Sequence, residues 1–505
     1  MKTPQFIPVL MGAVIVCTLG LAAPAHAQTP SPTVDMTKPP TIGPVKPYTP
    51  PASHADQLPN GMKIVVIEDH RFPLISVRMA LRAGSSRLKP DEAGLASAEA
   101  DLLTEGTPTR TALQIAQATD ALGGDIGASV GPDFLTVSAD ALSSHARELF
   151  ELMADVVLHP SFPENEVQLR KANMLQELAA SRANAGFLAS VEFNKLLYGQ
   201  HPYAITAPTE ASIAKIDRAA LQQFHDTYFL PNNQTEVVVA GDISAARAHN
   251  LVQQYFSDWK LGQPTPPPSP AVAPPAGRRI YLIERPGSAQ STILLGNLGL
   301  TRTAPDYFPF LVVNEVLGGS FNSRLIADVR ERLGYTYGIS SGNVPNRDLG
   351  SWLVSTEVRT AVTADALKEI FVQLDKIRSA PVTEQELLQA KNFLTGNFVL
   401  GLQTQGEVAN QFLTTGIYGL PSDRLATWVD NVEAVTADQA QSAAEQYIHP
   451  DRDIVVVVGD VKQIEAPLAN LVPGTMMTIF NDKGDVVGSY PPEGPARGGK
   501  HQRVH

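Results

Sequence analysis

Val237-Val238-Val239-Ala240-Gly241-Asp242 returns further along the chain as Val455-Val456-Val457-Val458-Gly459-Asp460. A short β-branched run closed by Gly-Asp reads as a buried strand and the turn that leaves it. Two more segments repeat in the same order and at nearly the same offset. Lys63–Glu68 (KIVVIE) matches Arg279–Glu284 (RIYLIE), each opening its part of the chain. The stretch from Pro160, PSFPENEVQLRKANMLQEL, matches that from Ala380, APVTEQELLQAKNFLTGNF, with Glu164 and Glu166 echoed by Glu384 and Glu386. Ordered self-similarity of this kind marks an internally duplicated architecture.

Each copy opens with a strand pair, expected at Met62–Glu68 and Ile75–Arg82 in the first and at Ile280–Glu284 and Ser291–Leu298 in the second. Helical patterns follow over Ser143–Val157 and Glu164–Arg182, where Leu149, Leu152, Met153, Val156 and Val157 recur at helical spacing. Glu164 and Glu166 suit a helix N-terminus, whose free amides favour negative charge. The class is therefore α+β: two homologous α/β sandwiches, each a sheet with helices, spanning 52–261 and 278–472. Between them Gly262–Gly277, GQPTPPPSPAVAPPAG, is a proline-rich linker that holds backbone extended. Residues 473–505 are assigned to a C-terminal tail.

The chain of 505 residues exceeds one ordinary domain. It carries 39 Lys plus Arg against 51 Asp plus Glu, a formal −12, with no basic block beyond Arg278-Arg279, which argues against a nucleic-acid partner. The single cysteine, Cys17, removes any thiol-based metal site or disulfide framework. It lies in an apolar run, Phe6 to Leu21, that follows Lys2 and precedes AAPAHAQ at 22–28. This is a Sec-type signal over 1–27 with cleavage expected after Ala27, too short for a membrane span. The expectation is an exported protein, periplasmic if the source is Gram-negative, with no membrane span after cleavage. Residues 28–51 read as an extended Pro-rich leader.

Gly94–Thr107, GLASAEADLLTEGT, is where the chain resembles the pitrilysin/insulinase-like metallopeptidases, the inverzincins. In that family a Gly-Leu-Ala start leads into H-x-x-E-H on a helix and then a Gly-Thr pair. Leu58-Pro59-Asn60-Gly61, Pro73, Tyr198-Gly199-Gln200-His201-Pro202-Tyr203 and the repeated halves extend the resemblance over about Leu58 to Val472. It implies two homologous domains forming half of a clamshell. Zinc chemistry needs two imidazoles four apart on one helix face and a carboxylate to deprotonate water. Aligning the flanks puts Ser97, Ala100 and Asp101 where His, Glu and His belong, and Glu177 at the later glutamate ligand. Ser97, Asp101 and Glu177 fall short of the six or more oxygens that Ca²⁺ or Mg²⁺ wants. Ser97, Glu99 and Asp101 are expected on a solvated helix face, His201 in a structural role, and no metal or other cofactor in this chain.

Gly318–Leu325, GGSFNSRL, opens a helix with an apolar stripe of Leu325, Ile326, Val329 and Leu333 before Gly334 and YTYGISS. This too resembles the family, reproducing its substrate-binding arginine–tyrosine pair as Arg330 and Tyr337. A phenol and a guanidinium can stabilise the oxyanion that forms on a peptide carbonyl. The alternative is that Arg330 pairs with Asp328 or Glu331 on a helix surface and Tyr337 packs in a sheet. One site erased and the other kept resembles the two-subunit bacterial members, similar to mitochondrial processing peptidase subunits. The resemblance implies a non-zinc subunit of an exported heterodimeric zinc endopeptidase acting on peptides or unfolded segments. Its partner would be a homologous subunit with an intact motif that carries the zinc. The competing expectation is a catalytically inert scaffold or peptide-binding homologue.

Overall fold

A computed structural model describes residues 48–232, 234–262 and 269–491. The signal segment 1–27, the leader up to residue 47, linker residues 263–268 and the chain after residue 491 lie outside the described residues. In the first half the strands are β1 (Ser53–Gln57), β2 (Lys63–Glu68), β3 (Leu74–Leu81), β4 (Asp125–Val130), β5 (Leu135–Leu142) and β6 (Glu236–Gly241). They form a sheet in the order β1-β2-β6-β3-β5-β4. The second half supplies β7 (Arg279–Glu284), β8 (Gln290–Gly299), β9 (Thr336–Pro345), β10 (Gly350–Arg359), β11 (Ile454–Gly459), β12 (Met477–Phe480) and β13 (Val486–Tyr490), ordered β13-β12-β7-β11-β8-β10-β9. Stripped of β1 and of β12-β13, the two sheets are the same five strands in the same order, and the fold is the α+β pair of sandwiches the repeats imply.

The repeated valine strands sit inside their sheets. β6 runs parallel to β2 and antiparallel to β3, as β11 does to β7 and β8. An interior strand covered on both faces needs apolar side chains at every position, which explains an unbroken run in place of alternation. Val237 and Val239 point into the first half's own core, and Val238 and Ala240 into a different cluster on the opposite face. Val455 and Val457 divide from Val456 and Val458 in the same way.

The second layer on each sheet comes from the other half. Helix Ala185–Tyr198 of the first half lays Leu188, Ala189, Phe193 and Leu197 against Ile283, Leu294, Val456 and Val458 of the second sheet. Helix Gln405–Ile417 of the second half returns the exchange, packing Val408, Ala409 and Leu413 on Ile67, Ala80, Val238 and Ala240. Each sandwich is completed by its neighbour's helix, so the described residues fall in one compact unit. Gly416, near the end of the returning helix, makes close approach possible. A Cβ there would lie 2.0 Å from both carboxylate oxygens of the buried Glu236.

Part of the assigned C-terminal tail is sheet. β12 pairs in parallel with β7, and β13 closes on β12. The polar turn between them hid a strand too short for a periodic signal. Among the described residues no helix is long and apolar enough to cross a membrane.

Candidate functional site

Helix Leu95–Leu102 begins at Gly94, whose φ of +94° places the chain in the region that favours glycine. A Cβ there would also lie 2.9 Å from Met174 and from Pro208. Ser97 and Asp101 face outward, whereas Ala100 is buried in the first core. Glu99 corrects the expected solvated face. It is fully buried, with Oε1 2.9 Å from His225 Nδ1. Burial pushes the Glu99 carboxyl well up and the His225 imidazole down to about 4, so each group is favoured in its uncharged form. This pair is internal to the core and offers nothing to a ligand outside.

The structure brings Asp101 and Glu177 together through a residue that the motif comparison passed over. Arg170 Nε lies 2.8 Å from Asp101 Oδ2. Its Nη1 and Nη2 donate to Glu177 Oε1 and Oε2 at 2.8 and 3.1 Å. The guanidinium holds the Glu177 carboxyl below its usual range, while burial raises Asp101. Arg170 and Glu177 are seven residues apart on helix Glu164–Arg182, two turns along one face. That spacing was the available signal.

These residues do not fit a catalytic zinc. Ser97 and Ala100 offer neither imidazole nor base, and the two carboxylates already face a guanidinium. Among the described residues no group of three or more His, Cys, Asp or Glu is arranged to hold a metal. His201 is buried, its Nδ1 accepting from the Tyr203 amide.

The second half presents a different arrangement. Glu315–Gly319 and Ile326–Arg332 are both π-helical, with a loop over 320–323 and the helical residues Arg324 and Leu325 between them. Such wide turns recur at functional sites. Arg324, just after the loop, anchors this segment, its Nε and Nη2 donating to Glu386 Oε1 and Oε2 at 2.7 and 3.0 Å. Glu386 also completes a capping box with Thr383 at the start of helix Glu384–Leu400. Together these donors bring its pKa down to about 2.

Arg330 does not take the helix-surface partner weighed against its functional role. Asp328 is engaged by Arg332, which also reaches Glu369 at 3.0 Å. The Arg330 guanidinium lies 4.4 Å from the centre of the Phe321 ring and has no carboxylate partner among the described residues. Tyr337 does sit in a sheet, on the edge strand β9, yet its side chain is 92% exposed. The register against β10 slips there: Thr356 faces Ile339, but Val358 faces Thr336. This bulge re-aims the tyrosine outward. Thr336 and Thr356 fix it: the Thr336 hydroxyl donates to the Glu357 carbonyl at 2.6 Å and accepts from the Gly338 amide at 3.0 Å, and the Thr356 hydroxyl donates to the Gly338 carbonyl at 2.9 Å. Phe321, Ile326, Arg330, Tyr337, Ser340 and Glu357 line one recess of about 590 Å³. Phe321 and the bulge were not singled out in the sequence, since a lone aromatic in a loop and a one-residue slip leave no periodic trace.

A duplicated sandwich with a degenerate metal motif in one half and an exposed arginine–tyrosine recess in the other defines a metallopeptidase-type fold. The family model described as "Insulinase (Peptidase family M16)" matches residues 63–201, and "Peptidase M16 inactive domain" matches residues 215–394. The chain belongs to the M16 peptidase family. It is 26% identical over 394 residues to an uncharacterized zinc protease of Mycobacterium leprae, covering 78% of this chain and 88% of that one. An uncharacterized zinc protease of Bacillus subtilis is 23% identical over 400 residues, with 79% and 96% covered. The crystal structure of a peptidase M16 inactive domain from Pseudomonas fluorescens matches with a TM-score of 0.76 and 29% identity, covering 81% of this chain and 98% of that one. A protease structure from Helicobacter pylori, 19% identical, shares the fold at a TM-score of 0.76 over 81% of this chain and 100% of that one.

Proposed function

We propose that this chain is the non-zinc subunit of an exported, heterodimeric zinc endopeptidase acting on peptides or unfolded segments. Arg330 and Tyr337 are its contribution to the composite site, and a homologous subunit with an intact motif supplies the metal and the general base. The observation that carries this reading is the state of the pair: Tyr337 is held outward by a bulge, beside an Arg330 that no carboxylate among the described residues neutralises. A phenol O–H and a guanidinium N–H fixed before substrate arrives are donors for a peptide carbonyl and for the oxyanion it becomes. Phe321, stacked under Arg330 and itself exposed, limits the directions in which the guanidinium points.

The purified chain alone is expected to hold no stoichiometric zinc and to cleave no peptide. Mixing it with a zinc-bearing homologue from the same organism is expected to restore chelator-sensitive cleavage. One zinc per chain by elemental analysis, lost on altering Asp101 or Glu177, would overturn the proposal. Failure to restore cleavage with every such homologue would leave the inert-scaffold reading in its place.

A further inference from the structure

We propose that the Arg170 guanidinium is this half's built-in cation, neutralising the Asp101–Glu177 carboxylate pair across two helices and thereby keeping divalent ions out of the degenerate motif. Asp101 stands on helix Leu95–Leu102, Arg170 and Glu177 on helix Glu164–Arg182, and the guanidinium reaches both acids at 2.8 Å. The arginine side chain is 19% exposed, while Asp101 and Glu177 are 46% and 59% exposed. The cation thus lies beneath the acids, whose side chains are about half exposed. Arginine suits the position because its planar fork can engage one carboxylate through two N–H groups and still present Nε to another.

Glu105 and Glu166 add negative charge to the same neighbourhood. Without the guanidinium, Asp101 and Glu177 would be left facing each other with no compensating charge at this point. Carboxylates so placed attract hard divalent cations, which take oxygen ligands and complete their shells with water. Missing imidazoles explain why this half cannot hold zinc; Arg170 explains why its two remaining acids take no other ion. This inference concerns the first half alone and does not rest on the arginine–tyrosine reading. Its test reads stability and ion binding, so the two proposals can fail separately.

The test uses the full chain, thermal melting with and without calcium chloride, and calorimetric titration with calcium. R170M, which keeps an apolar stem in the arginine's place, is expected to melt below the wild type and to be raised by calcium. Its affinity for calcium should be at least about tenfold tighter than the wild type's. The wild-type melting curve is expected not to move. R170K retains a positive charge and is expected to stay insensitive to calcium, which separates loss of charge from loss of packing. In the D101N/R170M/E177Q chain the calcium response should vanish and the melting temperature return towards that of the wild type. A wild type that binds calcium as tightly as R170M would overturn the proposal. So would an R170M chain that ignores calcium, or a triple variant that responds as R170M does.

Discussion

The two halves share five strands in one order, but the charged groups beside the motif helix and those beside the glycine-rich loop are treated in opposite ways. In the first half Arg170 is engaged by two carboxylates and Glu99 is sealed in the core against His225. In the second, Arg324 pairs with Glu386, and Arg332 pairs with Asp328 and Glu369. Arg330 is left stacked on Phe321, its donors uncommitted among the described residues, beside an outward-facing Tyr337. A fold can be duplicated while only one copy keeps polar groups available to a ligand. The sign of that availability is an arginine stacked on an aromatic ring with no ion pair among the described residues.

The exchanged helices make the halves one body, and Phe193→Ala tests this most severely. Phe193 is fully buried against the other half's sheet. Its truncation is expected to cost about 3–5 kcal/mol. Calorimetry should still show one transition, at lower temperature. Two separate transitions in the wild-type protein would mean that the exchanged helices do not couple the halves.

Tyr337→Phe addresses the second half directly. In the reconstituted heterodimer it removes one hydroxyl from an exposed side chain, so assembly and melting should be unchanged. The loss of transition-state stabilisation should be about 2.7–4 kcal/mol, seen mainly in kcat. Unchanged kcat and kcat/KM would reduce this half to a lid and a dimer surface.

Glu236 offers a pH-dependent probe of the contact at Gly416. Burial raises its pKa from an ordinary 4.5 to about 7, with Lys63 pulling the other way. A raised carboxyl pKa means that the folded state binds more protons than the unfolded one between those values. Stability is therefore lost as pH rises through that window, by up to about 3 kcal/mol once the group is ionised. Glu236→Gln should raise the melting temperature at pH 8 and change it little at pH 4. An equal gain at both pH values would show that ionisation is not its cause.

Asp101→Asn should have the smallest effect. Arg170 keeps its two-pronged grip on Glu177, and Asp101 is about half exposed. A change in stability below about 1 kcal/mol is expected from melting, with no change in heterodimer kcat. A large loss of activity would place the degenerate motif back in the chemistry and remove the contrast between the halves.

Much of the molecule was legible because it rests on local periodicity. Glu164–Arg182 is helical over the expected residues, and the four expected strands lie within a residue of their observed ends. The acids echoed at Glu384 and Glu386 do open a helix. Glu99 was misplaced because a carboxylate reads as solvated until its partner is known, and His225 lies far along the chain. Strands β12 and β13 were missed because each is short and flanked by glycine and polar turns.

The amino-acid order by itself determined the duplication, the α+β class, the loss of the imidazole ligands and the spacing of Arg330 and Tyr337, since each is written in residue identity or in a period of a few positions. Only the tertiary structure decided which sheet each helix covers, that Arg170 bridges Asp101 and Glu177, and that Arg330 makes no ion pair among the described residues. These depend on contacts between residues distant in sequence. A helix's apolar face fits either sheet, and an arginine's charge can be met by any acid within reach, so the choice is made by packing.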